Sequence, residues 1–142
     1  MADMSYVAPD TLDGALAALA KAGGDARIFA GGTDVIVQLH ADLIAPKLLV
    51  DIKNIPELRA IAREDGGFRI GAAVPAMRLV DHEEFRAMWP GVVEGAALIG
   101  SIQVKGRATL AGNLCNASPA ADSVPAMIAA GAIVSIVGPN GT

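Results

Sequence analysis

The stretch Ile28–Leu39, IFAGGTDVIVQL, places two glycines, a hydroxyl and a carboxylate between an apolar run and the start of a predicted helix. Glycine lets a backbone approach a ligand closely, and successive N–H groups at a helix N-terminus favour an anion. The order of residues matches neither the dinucleotide fingerprint nor the P-loop. From these residues alone, a tight turn and a phosphate-binding loop are equally good interpretations.

The segments around this turn predict a β-α-β unit that ends at Lys53. A helix precedes the turn, capped by Asp10 or Thr11, since either side chain can accept a hydrogen bond from the first helical turn. ARIFA and KLLVDI are strands on either side of the glycines. A crossover connection would make these two strands parallel.

The rest of the chain predicts a hairpin, several helices and a final strand. RAIARE and FRIGAAV flank an Asp-Gly turn, which is typical of a hairpin. Helical segments interrupted at Pro90 follow. The stretch 101–126 is rich in glycine, asparagine, serine and proline and predicts irregular structure, and a helix over about 124–130 and a strand over about 132–137 come last.

Composition excludes several classes of protein. The 142 residues are enough for one hydrophobic core, and a net charge of −4 without a basic stripe argues against nucleic-acid binding. The single cysteine, Cys115, cannot build a disulfide framework, a zinc site or an iron–sulfur cluster within this chain, and it fits a reducing cytoplasm. The uncharged stretch Ser123–Thr142 has the length of a membrane span, but prolines and glycines interrupt it, so no span is expected.

A second glycine-bearing segment, Thr109–Asn113, has the sequence TLAGN. Its threonine and asparagine offer hydrogen bonds, and Gly112 permits a close approach of the backbone. Taken alone, this segment is better interpreted as an irregular loop whose side chains satisfy its own backbone.

Taken together, IFAGGTDV and GSIQVKGRATLAGNLCNASPAADSVPAMIAAGA resemble the FAD-binding (medium) subunit of molybdenum hydroxylases, the class of xanthine dehydrogenase and carbon monoxide dehydrogenase. The opening YVAPDTLDGALAAL is similar to the start of that family. The similarity covers essentially the whole chain, whereas the family's subunit is much longer. The chain therefore resembles the N-terminal part of such a subunit.

The resemblance implies an α+β fold, a two-lobed FAD-binding domain of the PCMH (vanillyl-alcohol-oxidase-like) type. Residues 1–53 would form the β-α-β first lobe. Residues 54–142 would form a mixed α/β second lobe that lacks its later part. Where relatives often have Ile-Arg-Asn before the second loop, this chain has Val104-Lys105-Gly106, which predicts an altered approach of that loop.

The resemblance also implies a set of FAD contacts. The first loop would wrap the pyrophosphate and ribitol, the second would add phosphate and ribitol contacts, Ile99 would lie against the flavin, and Asp122 would reach a cofactor hydroxyl. The expected cofactor-binding residues are Ile28, Phe29, Ala30, Gly31, Gly32, Thr33, Asp34, Val35, Ile99, Thr109, Leu110, Ala111, Gly112, Asn113 and Asp122. No catalytic or metal-ligating residue is expected in this chain.

The implied function is electron transfer within a larger assembly. Molybdopterin would belong to a large subunit and two 2Fe–2S clusters to an iron–sulfur small subunit, and FAD would pass electrons to an external acceptor. The C-terminal half of the flavin subunit would be a further partner. Two alternatives stay open: another flavoprotein oxidase or reductase of the same fold, and a non-catalytic interaction module that has lost flavin binding.

Overall fold

The computed structural model describes residues 4–142, and its first part is built on a three-stranded parallel sheet. The strands are β1 (Ser5–Val7), β2 (Ala26–Phe29) and β3 (Leu48–Asp51), in the spatial order β1-β3-β2. Helix α1 (Leu12–Ala22) connects β1 to β2, and α2 (Val35–His40) lies between β2 and β3. The central strand β3 therefore holds the whole sheet together, and the predicted β-α-β unit is confirmed.

Both ends of helix α1 are determined by residues that the sequence analysis had singled out. The Thr11 hydroxyl oxygen accepts a hydrogen bond from the N–H of Gly14 at 3.1 Å, so Thr11 is the cap. At the other end, Gly23 has a φ of 58° and its N–H donates to the carbonyl of Leu19. Ala15, on the buried face of the helix, packs towards the sheet.

The second part begins with a 3₁₀ turn, Pro56–Arg59, and the predicted hairpin, followed by short helices. The hairpin consists of β4 (Ile61–Glu64) and β5 (Gly67–Ile70), which pair in antiparallel fashion. The helices are α3 (Ala76–Val80), α4 (Glu83–Met88), α5 (Pro90–Ala97), α6 (Ile102–Lys105), α7 (Leu110–Asn116) and α8 (Ser123–Ala129). Helix α5 begins at Pro90, in agreement with the predicted interruption.

Two clusters of buried apolar side chains stabilise the fold. The first lies between α1 and the sheet and consists of Ala15, Val50, Ile52, Ile55 and Ala73. The second joins the helices of the second part and consists of Val74, Ala76, Leu79, Phe85, Val92, Val93, Ala96, Ile99, Ala108 and Leu110. Because Ile55 and Ala73 belong to the first cluster, that core extends past Lys53. The division of the chain into lobes at Lys53 stays a prediction.

The predicted strand over 132–137 is wrong. This segment pairs with no strand among residues 4–142, and the only bridge nearby joins Gly138 to Gly141. Ile133 is 94% exposed and Ile136 is 76% exposed. The β-branched composition favoured a strand, but a strand also needs a neighbour to receive its hydrogen bonds.

The irregular structure expected for 101–126 is also wrong, because α6, α7 and the start of α8 lie there. The serine and threonine that suggested loops are helix caps. Ser101 Oγ accepts from the N–H of Val104 at 3.3 Å, and Thr109 Oγ1 accepts from the N–H of Gly112 at 2.9 Å. Between residues 4 and 142, none of these helices is long and apolar enough to cross a membrane.

Candidate cofactor-binding site

The turn that follows β2 lies at the carboxyl edge of the parallel sheet, where ligands of open α/β sheets bind. Gly31 and Gly32 are both buried there. Gly32 has a φ of 75°, and a Cβ at this position would overlap the ring of Phe29. Both the backbone conformation and the neighbouring ring therefore require glycine.

The N–H groups of this turn are free to bind a ligand. Within residues 4–142, those from Gly31 to Asp34 donate to no protein acceptor. N–H groups at the start of a helix have no partner within the helix and bind water, a cap or a ligand, so this run is available to an anion. The pyrophosphate of FAD is an anion rich in acceptor oxygens, so these residues fit that part of the cofactor.

The residues just before the second predicted loop lie in direct contact with the first. A Cβ at Gly31 would overlap the backbone carbonyl of Arg107, so the two backbones meet without space for a side chain. Arg107 Nε also donates to the carbonyl oxygen of Gly31 at 3.4 Å. Thr109, which is 3% exposed, then caps α7. The structure thus places the first turn beside the residues that lead into the second segment.

A side-chain hydrogen bond ties together the two helices that start at these segments. Gln38 on α2 donates from Nε2 to Oδ1 of Asn116 on α7 at 2.8 Å. The other polar atom of this side chain, Gln38 Oε1, is buried without a partner among the described residues. The pair fixes the spacing of α2 and α7, and therefore of the two turns that precede them.

A buried carboxylate lies beneath the first turn, at the end of β3. Asp51 is 5% exposed, accepts from Tyr6 Oη at 2.5 Å and pairs with Lys53 Nζ at 2.6 Å. Burial alone would raise the pKa of Asp51, but the hydrogen bonds from Lys53 and Tyr6 outweigh it and hold the pKa below 3.8. The hydrogen bond to Asp51 raises the pKa of Tyr6 above 10.0.

The remaining predicted contacts lie in different environments. Ile99 is 7% exposed and belongs to the second core cluster. Asn113 Oδ1 accepts from the Ser123 hydroxyl at 2.8 Å, which joins α7 to α8. Asp122 is exposed at the start of α8 and its side chain makes no capping hydrogen bond. The roles of Ile99, Asn113 and Asp122 towards FAD stay predictions.

Sequence reasoning missed two residues that shape this site, Lys53 and Arg107. A charged residue just after a strand, at the carboxyl edge of a parallel sheet, was the available signal for Lys53. The departure at Val104-Lys105-Gly106 pointed to an altered loop approach, and Arg107, which makes the contact, comes directly after it. Among the residues from Met4 onward, no group of histidine, cysteine and acidic side chains is placed to hold a metal ion.

The α+β arrangement and the paired glycine segments define an FAD-binding domain of the PCMH type. The family described as the FAD-binding domain in molybdopterin dehydrogenase matches residues 2–142, and the chain belongs to it. Molybdopterin dehydrogenases are oxidoreductases, and FAD is the cofactor of this family.

Named relatives agree with this family. Caffeine dehydrogenase subunit beta of Pseudomonas sp. (strain CBB1) is 38% identical over 88% of this chain and 42% of its own length. The carbon monoxide dehydrogenase medium chain of Hydrogenophaga pseudoflava is 35% identical over 96% of this chain and 47% of its own length. The chain thus spans about half the length of the curated relatives it matches.

Solved structures show the same fold. Reconstituted CO dehydrogenase from Oligotropha carboxidovorans superimposes with a TM-score of 0.93 and 33% identity, over 97% of this chain and 48% of that chain. Quinoline 2-oxidoreductase from Pseudomonas putida 86 gives a TM-score of 0.74 over 78% of this chain and 39% of its own. The predicted family and fold class are therefore confirmed.

Proposed function

We propose that this chain is the N-terminal part of the FAD-carrying subunit of a molybdenum hydroxylase. The whole subunit would pass electrons from 2Fe–2S clusters in an iron–sulfur small subunit to an external acceptor. The observation that carries this proposal is the run of free N–H groups from Gly31 to Asp34, beside the α7 segment. The relatives support it, since several are named as subunits of such dehydrogenases.

The two segments have separate tasks in this proposal. The N–H groups of residues 31–34 would donate to the pyrophosphate, and the glycines would let its oxygens come close. Thr109 would hold the start of α7 and direct its hydroxyl hydrogen towards the cofactor, since its oxygen already accepts from Gly112. FAD, when bound, would supply the electron transfer, and the residues of this chain would bind and orient it.

The proposal also assigns the partners. A molybdopterin-containing large subunit would oxidise the substrate, and the C-terminal half of the flavin subunit would complete the second lobe, 54–142, beside the first lobe, 1–53. The low charged fraction, 18%, supports extensive covered surface. A cytoplasmic location follows from the single cysteine and stays our expectation.

We expect these residues alone to form an incomplete flavin site. A cavity of about 70 Å³ lies beside α7 and α8, lined in part by Leu114, Met127 and Val134. Drug-sized ligands generally occupy pockets of about 300 Å³ or more. A larger cavity, about 250 Å³, lies at the opposite, amino edge of the sheet near Asp25 and Pro46. Neither cavity could enclose an isoalloxazine ring next to the first turn.

The test is a titration of FAD into the 142-residue chain, followed by flavin fluorescence, with and without the C-terminal half of a relative supplied in trans. We expect micromolar or weaker binding by the chain alone and tighter binding with the added half. A purified chain that is already yellow, or a nanomolar dissociation constant, would show that the site is complete. No binding under either condition would support the interaction-module alternative and contradict the proposed function.

A further inference from the structure

We infer that Lys53 is a positioning residue that holds the glycine turn in the shape that binds the pyrophosphate of FAD. This inference deepens the proposed function and rests on it. Lys53 itself need not touch the cofactor. Its contacts are all with the chain that carries the turn and with the strand beneath it.

Two contacts of the Lys53 side chain converge on the turn. Its Nζ donates to the carbonyl oxygen of Ala30 at 2.9 Å, one residue before the glycines. The same ammonium lies 4.3 Å from the ring centroid of Phe29. That ring is the group that a side chain at Gly32 would strike. Lys53 therefore fixes both the residue that begins the turn and the ring on which the turn packs.

A third contact anchors the ammonium itself. Lys53 Nζ pairs with Asp51 Oδ2 at 2.6 Å, and the Lys53 N–H donates to Oδ1 of the same carboxylate at 2.9 Å. Tyr6, on β1, donates to Asp51 as well. The turn is thereby connected through Lys53 and Asp51 to all three strands of the sheet.

The hydrogen bond from Lys53 holds the carbonyl oxygen of Ala30, a hydrogen-bond acceptor, away from the proposed ligand. The carbonyl oxygen of Ala30 is engaged by Lys53, so the peptide that follows is held with one orientation. The successive N–H groups from Gly31 to Asp34 donate to no acceptor among residues 4–142 and remain available to a ligand. Without the ammonium, the Ala30 carbonyl would be free to rotate, and the oxygens of a diphosphate would meet a less ordered set of donors.

The chain offers a matched control at the other end of the same strand. Lys47 precedes β3 and pairs with Asp25, also at 2.6 Å. Both side chains of that pair are largely exposed, 77% and 56%, whereas the side chains alone of Lys53 and Asp51 are 33% and 7% exposed. Lys47→Met therefore removes the same kind of ion pair without touching the turn.

The experiment follows the backbone amides of residues 31–34 by ¹⁵N–¹H NMR in the 142-residue chain while ADP, FAD and riboflavin are added. In Lys53→Met we expect about tenfold weaker ADP and FAD binding, the loss of one charge-assisted hydrogen bond. Riboflavin, which has no phosphate, should bind Lys53→Met and wild type alike. Lys53→Arg should restore most of the ADP affinity, and Lys47→Met should bind as wild type does.

Each outcome separates this inference from the proposed function. If ADP and FAD shift the turn amides equally in wild type and Lys53→Met, the positioning role is overturned and the proposed function stands. If neither shifts them in wild type, with or without the C-terminal half of a relative supplied in trans, both are overturned. Should Lys53→Met fail to fold, as judged by circular dichroism, Tyr6→Phe tests the same network from an exposed position, and unchanged ADP affinity in that variant also overturns the inference.

Discussion

Gly31 and Arg107 lie 76 positions apart in the chain and meet backbone to backbone. The first glycine of the turn is therefore needed for contact with the other proposed phosphate segment, as well as for any contact with a ligand. The sequence could suggest that two glycine-bearing segments serve one cofactor, and the structure shows that they also support each other.

Gly31→Ala should lower the free energy of unfolding by about 1–3 kcal/mol, because the added methyl group overlaps the Arg107 carbonyl. The clash can be relieved only if the two backbone segments move apart. Urea unfolding measures the free energy change. Gly24→Ala is the control, because nothing lies within 4 Å of a Cβ at Gly24. Equal stability of the two variants would mean that the contact between the segments is loose.

Gly32→Ala should both destabilise the chain and weaken FAD binding. Gly66, at the tip of the hairpin, provides the comparison, because it also has a positive φ, 81°, and nothing lies within 4 Å of a Cβ added there. Gly66→Ala reports the cost of backbone strain alone, about 1 kcal/mol. The additional loss in Gly32→Ala, measured by thermal unfolding, reports the clash with Phe29. If Gly32→Ala and Gly66→Ala lower the free energy of unfolding equally and FAD affinity is unchanged, the expected clash with Phe29 does not occur.

Thr109→Ala should cost about 1 kcal/mol through loss of the α7 cap and should also weaken FAD binding. Thr11→Ala removes the corresponding cap of α1, which is not among the predicted cofactor contacts, and should cost a similar free energy of unfolding while leaving FAD affinity unchanged. Chemical denaturation and fluorescence titration of both variants separate the two effects. Equal FAD affinity in Thr109→Ala and Thr11→Ala would show that Thr109 does not contribute to FAD binding.

Asp51→Asn should lower the free energy of unfolding by about 1–3 kcal/mol near neutral pH, because Lys53 and Tyr6 lose a charged partner. The folded pKa of Asp51 lies below 3.8, so its carboxylate stabilises the protein fully above that value. This stabilisation disappears as the pH falls through the folded pKa. Urea unfolding from neutral to strongly acidic pH should show wild type and variant converging only in acid. A difference that is constant with pH would contradict the assignment, and Asp25→Asn, in an exposed pair, serves as control.

The isolated chain should self-associate through the apolar segment 132–137. Ile133, Val134 and Ile136 are all more than half exposed. Exposed apolar and unpaired segments of this kind associate readily. Analytical ultracentrifugation should show oligomers for wild type and fewer for Ile133→Lys/Ile136→Lys. A monomeric wild-type chain that melts cooperatively would count against the need for a covering partner.

Local signals were enough for most of the elements. The cap at Thr11, the glycine pair after α1 and the Asp-Gly turn before β5 act over a few residues, and each prediction based on them is confirmed. The same local reasoning was wrong for 132–137, because β-branched residues indicate a preference and the partner strand has to come from elsewhere.

The two glycine-bearing segments could be recognised in the sequence, and the contacts that support them could not. The glycine and threonine motifs identified both segments, yet nothing local placed Arg107 against Gly31 or Lys53 on the Ala30 carbonyl. Such contacts depend on which strand becomes central. They also depend on how far α7 lies from the sheet, and both are properties of the tertiary arrangement.

Strand β3 is the last of the three parallel strands to be synthesised, and it occupies the centre of the sheet. While the chain leaves the ribosome, β1 and β2 have no neighbour to pair with until residues 48–51 have emerged. The glycine turn is translated earlier, and Lys53, which engages it, follows β3 directly. The turn therefore acquires its shape late and in one step with the sheet, so a nascent chain arrested before Lys53 would present the glycines without the geometry that orders their donors.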